Sequence, residues 1–167
     1  MPENTVFDAG RTGEIRIESA QDADAEALLA LQRRAYASEA RLYDDWSIPP
    51  LTQDLASLRS DIAALTFLKA SANGAIVGSV RARVVDACAQ IGRLIVDPPF
   101  QRQGIGSALL RAVEAALPDA VRFELFTGSR SAGNLRLYER LGYRRRETRQ
   151  LSKRVSVVFL DKTPPRP

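Results

Sequence analysis

The side chains able to do chemistry in this chain are few, and one type is missing altogether. With His 0 and a single cysteine, Cys88, it can build no Ser-His or Cys-His nucleophilic pair, no His-ligated metal site and no imidazole proton shuttle. A lone cysteine also excludes an intrachain disulfide and a multi-cysteine zinc site, so no metal is expected. What remains is carboxylates, phenols, hydroxyls, arginines and backbone groups. Their most informative grouping is Val96-Asp97-Pro98-Pro99-Phe100-Gln101-Arg102-Gln103-Gly104-Ile105-Gly106-Ser107. Gly104 and Gly106 remove side chains where a ligand must approach the main chain. A helix starting there offers unpaired N–H groups and the positive end of its dipole. Arg102 adds a full charge, which completes the parts of a pyrophosphate cradle. A Walker A loop is excluded because Ser107 and Ala108 follow Gly106 where that loop needs its lysine. A dinucleotide fingerprint would need a small residue at Leu109, and Glu124 matches only that fingerprint's acid.

The elements that must position these residues follow from periodicity. Glu14 to Glu18 alternates with period two and predicts a strand. Asp22, Asp24 and Glu26 then place negative charge at the start of a helix whose Leu28, Leu31 and Ala35 share one face. Leu51, Leu55, Leu58 and Ile62 predict one further helix after Pro49-Pro50. Strands are expected at 65–70 and 75–85, joined by an Asn73-Gly74 hairpin turn, and at 89–96. A helix over 104–116, a strand over 121–126, a short helix over 134–141 capped by Gly142, and a hairpin of 143–151 with 155–160 complete the order. Such a mixture implies an α/β fold (α+β mixed), a central sheet covered by helices on both faces, with parallel pairing where a helix bridges two strands.

At 167 residues, with no internal repeat or linker, the chain reads as a single domain, 1–167, with soft ends at 1–13 and 163–167. An apolar fraction of 45% and a charged fraction of 26% are ordinary globular values, so wholesale disorder is not expected. The acidic start lacks an apolar h-region, and no run approaches the roughly 18 apolar residues of a membrane span, so a soluble, cytoplasmic protein is expected. The net charge of +4 suits a phosphorylated cofactor as well as a nucleic acid. No nucleic-acid-binding motif accompanies it, so neither nucleic acid nor membrane is an expected partner.

Gln101-Arg102-Gln103-Gly104-Ile105-Gly106 resembles motif A of the GNAT superfamily of acyl-CoA-dependent N-acyltransferases, Gln/Arg-x-x-Gly-x-Gly/Ala. Upstream, Val96-Asp97-Pro98 fits too, and Asn134 to Tyr143 is similar to motif B. Element order extends the resemblance over Ile15 to Leu160, the first third in pattern only. It implies a single GNAT-like domain with a splayed sheet, acetyl-CoA as acyl donor, and transfer to a primary amine by direct attack. It further implies that the backbone of Leu94, Ile95 and Val96 pairs with the pantetheine arm, and that the pyrophosphate rests on the turn of Gln101, Arg102, Gln103, Gly104, Ile105, Gly106 and Ser107. Phe126 and Thr127 would flank the gap. Asn134 would hold the pantetheine, Leu137 would join the cofactor-binding set, and Tyr138 would stand beside the sulfur as general acid, a role that suits a phenol protonated at neutral pH.

The base departs from the family's pattern. An alkyl ammonium is only about 0.1% neutral at pH 7, so something must take its proton. Many family members place a Glu on the strand before motif A, where this chain has Gly92 and Arg93. Glu39, Asp44, Asp45 and Glu124 are the candidates elsewhere, beside a water chain or an acceptor of low pKa. On the acceptor side, alternation sets Ser79, Arg81 and Arg83 on one face of their strand, and Ile91, Arg93 and Ile95 on one face of the next. Arg81 and Arg93 then either meet Glu124 or Glu39, or hold a carboxylate or phosphate of the acceptor. Tyr36, Glu39 and Tyr43 would form the opposite wall, as helices at this place do in the family. The expected acceptor is a small-molecule or peptide amine, and a homodimer is allowed. The rival reading is a non-catalytic acyl-CoA-binding or regulatory module, which would keep the glycines but need no acid.

Overall fold

Period-two alternation buries Ile15 and Ile17 of strand β2 (Glu14–Ser19) while Glu14 and Arg16 stay exposed. This is a computed structural model describing residues 4–165. One expectation is corrected at once. The start is not soft throughout, because Thr5–Asp8 forms strand β1, antiparallel to β2, with Val6 opposite Arg16. Residues 1–3 and 166–167 of the expected soft ends lie outside the described residues.

Helix α1 (Ala25–Tyr43) buries Leu28, Leu29 and Leu31. The single helix expected next is divided into α2 (Pro49–Thr52) and α3 (Leu55–Ala64). Asp54 is the cause: its carboxylate accepts from the Ser57 amide at 2.8 Å, a side-chain N-cap that starts α3 afresh and leaves Gln53 in extended backbone. Strands β3 (Thr66–Ala72) and β4 (Ala75–Val85) meet at the expected Asn73-Gly74 turn, both residues at positive φ. After β5 (Cys88–Val96) come α4 (Ile105–Ala115), β6 (Arg122–Gly128), α5 (Ala132–Arg140), β7 (Arg144–Gln150) and β8 (Ser156–Lys162).

Among the described residues the strands form one sheet of eight, ordered β1-β2-β3-β4-β5-β6-β8-β7. Successive residues of β3 divide its two faces. Phe67 packs with Leu28, Leu29 and Leu58 beneath α1 and α3, whereas Leu68 and Ala70 join Leu109, Leu110 and Val113 beneath α4. The sheet is therefore covered on both sides. Its one parallel pairing, β5 with β6, lasts three rungs, from Cys88 opposite Arg122 to Gln90 opposite Glu124. Beyond them β5 and β6 part, while on its other edge β6 stays paired with β8 from Phe123 opposite Lys162 to Gly128 opposite Val157. A mixed, splayed α/β sheet results, as expected.

Candidate active site

Where β5 and β6 part, the β6-facing edge of Ile91 to Val96 has no strand partner among the described residues. Backbone N–H and C=O groups there are available to an extended ligand. Leu94, Ile95 and Val96 lie along this edge, and Gln101 Nε2 reaches back to the Val96 carbonyl at 3.2 Å. The turn into α4 comes next. Gly104 is the α4 N-cap at φ +82, with open space where a Cβ would stand. Arg102 also has positive φ, and the Gln103 side chain is tied to Thr12. No described residue accepts from the amides of Arg102 to Ser107, which leaves these donors unpaired within the protein. Ile105 contributes only its amide, its side chain being core. At Gly106 a Cβ would lie 3.5 Å from Leu137 Cδ2, which fixes α5 beside this turn.

Across the gap, Asn134 Nδ2 donates to Thr127 Oγ1 at 3.2 Å, joining two residues expected to flank the pantetheine. Phe126 instead stands 54% exposed on the other face of β6, its ring 5.4 Å from that of Phe159. Tyr138 is buried in α5, against Tyr143. Tyr143 donates to Glu114 and the Tyr43 hydroxyl accepts from the Arg130 amide, but the Tyr36 and Tyr138 hydroxyls have no hydrogen-bond partner among the described residues. Burial raises the Tyr138 phenol well above its ordinary value, with Tyr36 and Glu39 adding to the effect. Tyr36 is pushed up to about 12, first by burial and then by Glu39, while Arg93 and Arg81 oppose the rise.

The roof of the gap is α1. Gln32, Tyr36, Glu39 and Tyr43, at i, i+4, i+7 and i+11, make one stripe that crosses from β5 to β6. Gln32 bonds Arg93 at 3.3 Å, and Glu39 accepts from Ser131 Oγ with both oxygens at 2.8 Å. Tyr43 reaches the Arg130 amide at 2.8 Å by passing over Gly128, where any Cβ would overlap its ring. Glu39 and Tyr43 thereby clamp the start of the helix that carries Tyr138.

Several expectations about charge are corrected here. Ile91, Arg93 and Ile95 do not share a face, because the register slips between Gly92 opposite Arg81 and Ile95 opposite Ser79. Two residues of β5 face one of β4, a bulge that holds Arg93 at φ +48. Ile91 packs beneath α4, whereas Arg93 turns toward α1 and bonds Gln32 and Gln53. Arg81 meets neither Glu124 nor Glu39 but pairs with Asp61 of α3. Glu124 sits on the last rung before the splay, held by Arg122 at 3.2 Å, and makes no bond to any group of the gap. Asp44 is paired with Arg154, and the Ser47 hydroxyl and amide hold the Asp45 carboxyl below its usual range. Of the four acids, Glu39 alone acts electrostatically on Tyr138. Gln32, Gln53, Asp61 and Ser131 belong to the site without having been singled out in the sequence. Ser131, one residue before α5, carried a readable N-cap signal, although its hydroxyl goes to Glu39 instead.

A shallow depression of about 760 Å³ over β2 to β4 is separate from this gap. It is lined by charges that already answer one another, such as Lys69 with Asp24 at 2.8 Å. Among the described residues no helix is long and apolar enough to cross a membrane.

A parallel pair that splays beside a glycine turn and a following helix defines an acetyltransferase fold, and the sequence profile of the Acetyltransferase (GNAT) family matches residues 25–143. The chain belongs to that family. UPF0157 protein YqkA of Bacillus subtilis (strain 168) is 29% identical over 124 residues, 74% of this chain and 36% of that protein. The chain thus spans about a third of that relative's length. Three solved structures share the fold. The ribosomal-protein-S18-alanine N-acetyltransferase of Escherichia coli aligns with TM-score 0.73 and 22% identity, covering 89% of this chain and 93% of that one. The PaiA N-acetyltransferase of Thermoplasma acidophilum, in complex with coenzyme A, gives 0.72 and 18%, covering 90% and 99%. A GNAT acetyltransferase from Streptococcus pneumoniae gives 0.74 and 18%, covering 89% and 98%.

Proposed function

We propose that this protein transfers the acetyl group of acetyl-CoA to a primary amine by direct attack, with Glu39 as base and Tyr138 as acid. One observation carries the reading: the unpartnered edge of β5 runs straight into a turn of unpaired amides, and the unpartnered Tyr138 hydroxyl belongs to the helix packed beside that turn. This is the shape of a long thiol ester with a diphosphate at its far end. Arg102 and the amides to Ser107 would hold the pyrophosphate. The edge of Leu94 to Val96 would hold the pantetheine arm, with Asn134 and Thr127 opposite. The coenzyme A bound to the similarly folded PaiA protein supports the same choice.

Acetyl-CoA supplies an activated acyl carbon and a thiolate leaving group. Glu39 takes one proton from the acceptor's ammonium and passes it to solvent, freeing the nitrogen lone pair to form the C–N bond. As the C–S bond breaks, Tyr138 gives its proton to sulfur, and the second proton lost by nitrogen refills the phenol. Burial keeps Tyr138 loaded at every ordinary pH but also makes it a reluctant acid. It therefore acts first as a hydrogen-bond donor to the departing thiolate, and full transfer accompanies arrival of the nitrogen's proton. The acyl group is not held covalently by the protein at any stage.

Isothermal titration tests the cradle. Wild type should bind acetyl-CoA at one site, and Gly104→Val, which puts a branched side chain into a left-handed position and into the ligand's space, should weaken that binding at least about tenfold. Unchanged affinity in a folded Gly104→Val protein would move the cradle elsewhere.

A further inference from the structure

The polar cluster beneath α1 carries more positive charge than its own residues answer. Arg81 and Arg93 lie side by side on adjacent strands, and Asp61 pairs with Arg81. Arg93 has no ion-pair partner among the described residues, and its hydrogen bonds go to two amide oxygens, Gln32 Oε1 and Gln53 Oε1. The chain goes to some length to put it there. A bulge turns β5 out of register, Arg93 occupies the left-handed region that residues with a Cβ avoid, and the break between α2 and α3 delivers Gln53 to it. Burial and the neighbouring Arg81 both work against its charge, lowering its pKa. A half-buried guanidinium held by neutral oxygens still has N–H donors to offer in its planar fork.

Gln32, which orients Arg93, and Glu39 lie on one stripe of α1, seven residues or about 10 Å apart along the helix. Tyr36 stands between them on the stripe, its hydroxyl without a partner among the described residues, within the field of Arg93 and Glu39. The wall facing the acyl-transfer gap is therefore cationic at one end and anionic at the other, with a neutral donor in the middle.

We infer that the acceptor is a small zwitterionic amine, of the amino-acid or aminoalkyl-phosphonate class, whose anionic group is bound by Arg93 and the Tyr36 hydroxyl while its ammonium faces Glu39. This rests on the acetyl-transfer reading above and narrows it. Arg81 has no part in holding the acceptor, because Asp61 already neutralises it. Polyamines lack the group that Arg93 needs, and a lysine side chain within a protein carries its nearest carboxylate on another residue.

Matched amines that differ only in the anionic group test this: lysine against cadaverine, leucine against 3-methylbutylamine, 2-aminoethylphosphonate against ethylamine. Wild type should acetylate the zwitterion of at least one pair with kcat/KM about 10- to 100-fold above its partner, the range of one charge-assisted pair. Arg93→Gln should abolish that ratio through KM while Arg93→Lys retains part of it, and acetyl-CoA affinity should be the same in all three proteins. The amino-acid and phosphonate arms distinguish carboxylate from phosphonate recognition. Acetylation of the amines without an anionic group as fast as the zwitterions, or an unchanged ratio in a folded Arg93→Gln, overturns the inference and leaves the acetyl-transfer reading intact. Tight acetyl-CoA binding with no CoA released by any amine in either set overturns both.

Discussion

Gly128→Ala isolates the contact that seats the end of α1 on the sheet. A Cβ at this position would stand 2.7 Å from Tyr43 Cζ, 2.8 Å from Cε2 and closer still to the hydroxyl. Tyr43 is 5% exposed and its hydroxyl accepts from the Arg130 amide at 2.8 Å, so the ring cannot move aside without losing that bond. Overpacking of this kind costs about 1 to 3 kcal/mol, and the lost hydrogen bond about 1 kcal/mol. A total of about 2 to 4 kcal/mol would lower Tm by about 4 to 16 °C in a chain of this size. Thermal unfolding followed by circular dichroism measures it, and a double-mutant cycle locates it. In a Tyr43→Leu background, where no ring lies over the strand, the same Gly128→Ala change should cost at least about 1 kcal/mol less. An unchanged Tm in the single variant, or equal costs in the two backgrounds, would refute the seating of Tyr43 on β6.

Further outcomes follow from the same geometry. Glu39→Gln should keep the bond to Ser131, since its amide oxygen still accepts, yet lower turnover by about 10² to 10³ with acetyl-CoA affinity unchanged. Glu124→Gln should leave turnover alone, and equal loss in both variants would return the base to Glu124. Tyr36, Tyr138 and Tyr143 all have raised phenol pKa values, chiefly through burial. Because the folded values lie above the unfolded one, their contribution to stability is complete below about pH 10 and is lost as pH rises through the folded values, for Tyr36 between 10 and about 12. Native protein at pH 11 should therefore show little phenolate absorbance from these three. A native titration centred at pH 10 with the amplitude of all the tyrosines would contradict the burial that keeps Tyr36 and Tyr138 protonated.

The parts of the site that are local in sequence were legible there. Gly104 and Gly106 announce a bare turn into a helix, and Asn73-Gly74 a hairpin, because each sets its own backbone dihedrals. Long-range pairings were not legible. Whether β5 bulges at Arg93 depends on which residues of β4 lie opposite, although Gly92, a glycine inside a strand, was a signal of irregularity. Asp61, not Glu124 or Glu39, meets Arg81 because packing of Leu58 on Phe67 lays α3 across β3, where Phe67 pairs opposite Arg81, and periodicity within α3 cannot show this. The α2–α3 break was readable in principle at Asp54, three residues before Ser57, but the continuous Leu51 to Ile62 stripe concealed it. Strand β1 lacked a strong alternating pattern, since its pairing with β2 leaves three of its four residues exposed.

Single-turnover transfer with a saturating amine tests acyl transfer at this gap most directly, with the acetylated amine and free CoA both quantified. Wild type should release one CoA for each acetyl-amine formed. Tyr138→Phe, which removes the hydroxyl and keeps the ring that packs on Tyr143, should slow the reaction by about 10² to 10⁴ with acetyl-CoA affinity unchanged. Equal single-turnover rates in the two proteins would show that the proton reaches sulfur by another route, and no acetyl-amine from wild type with any acceptor, despite bound acetyl-CoA, would show a binding module and not an enzyme.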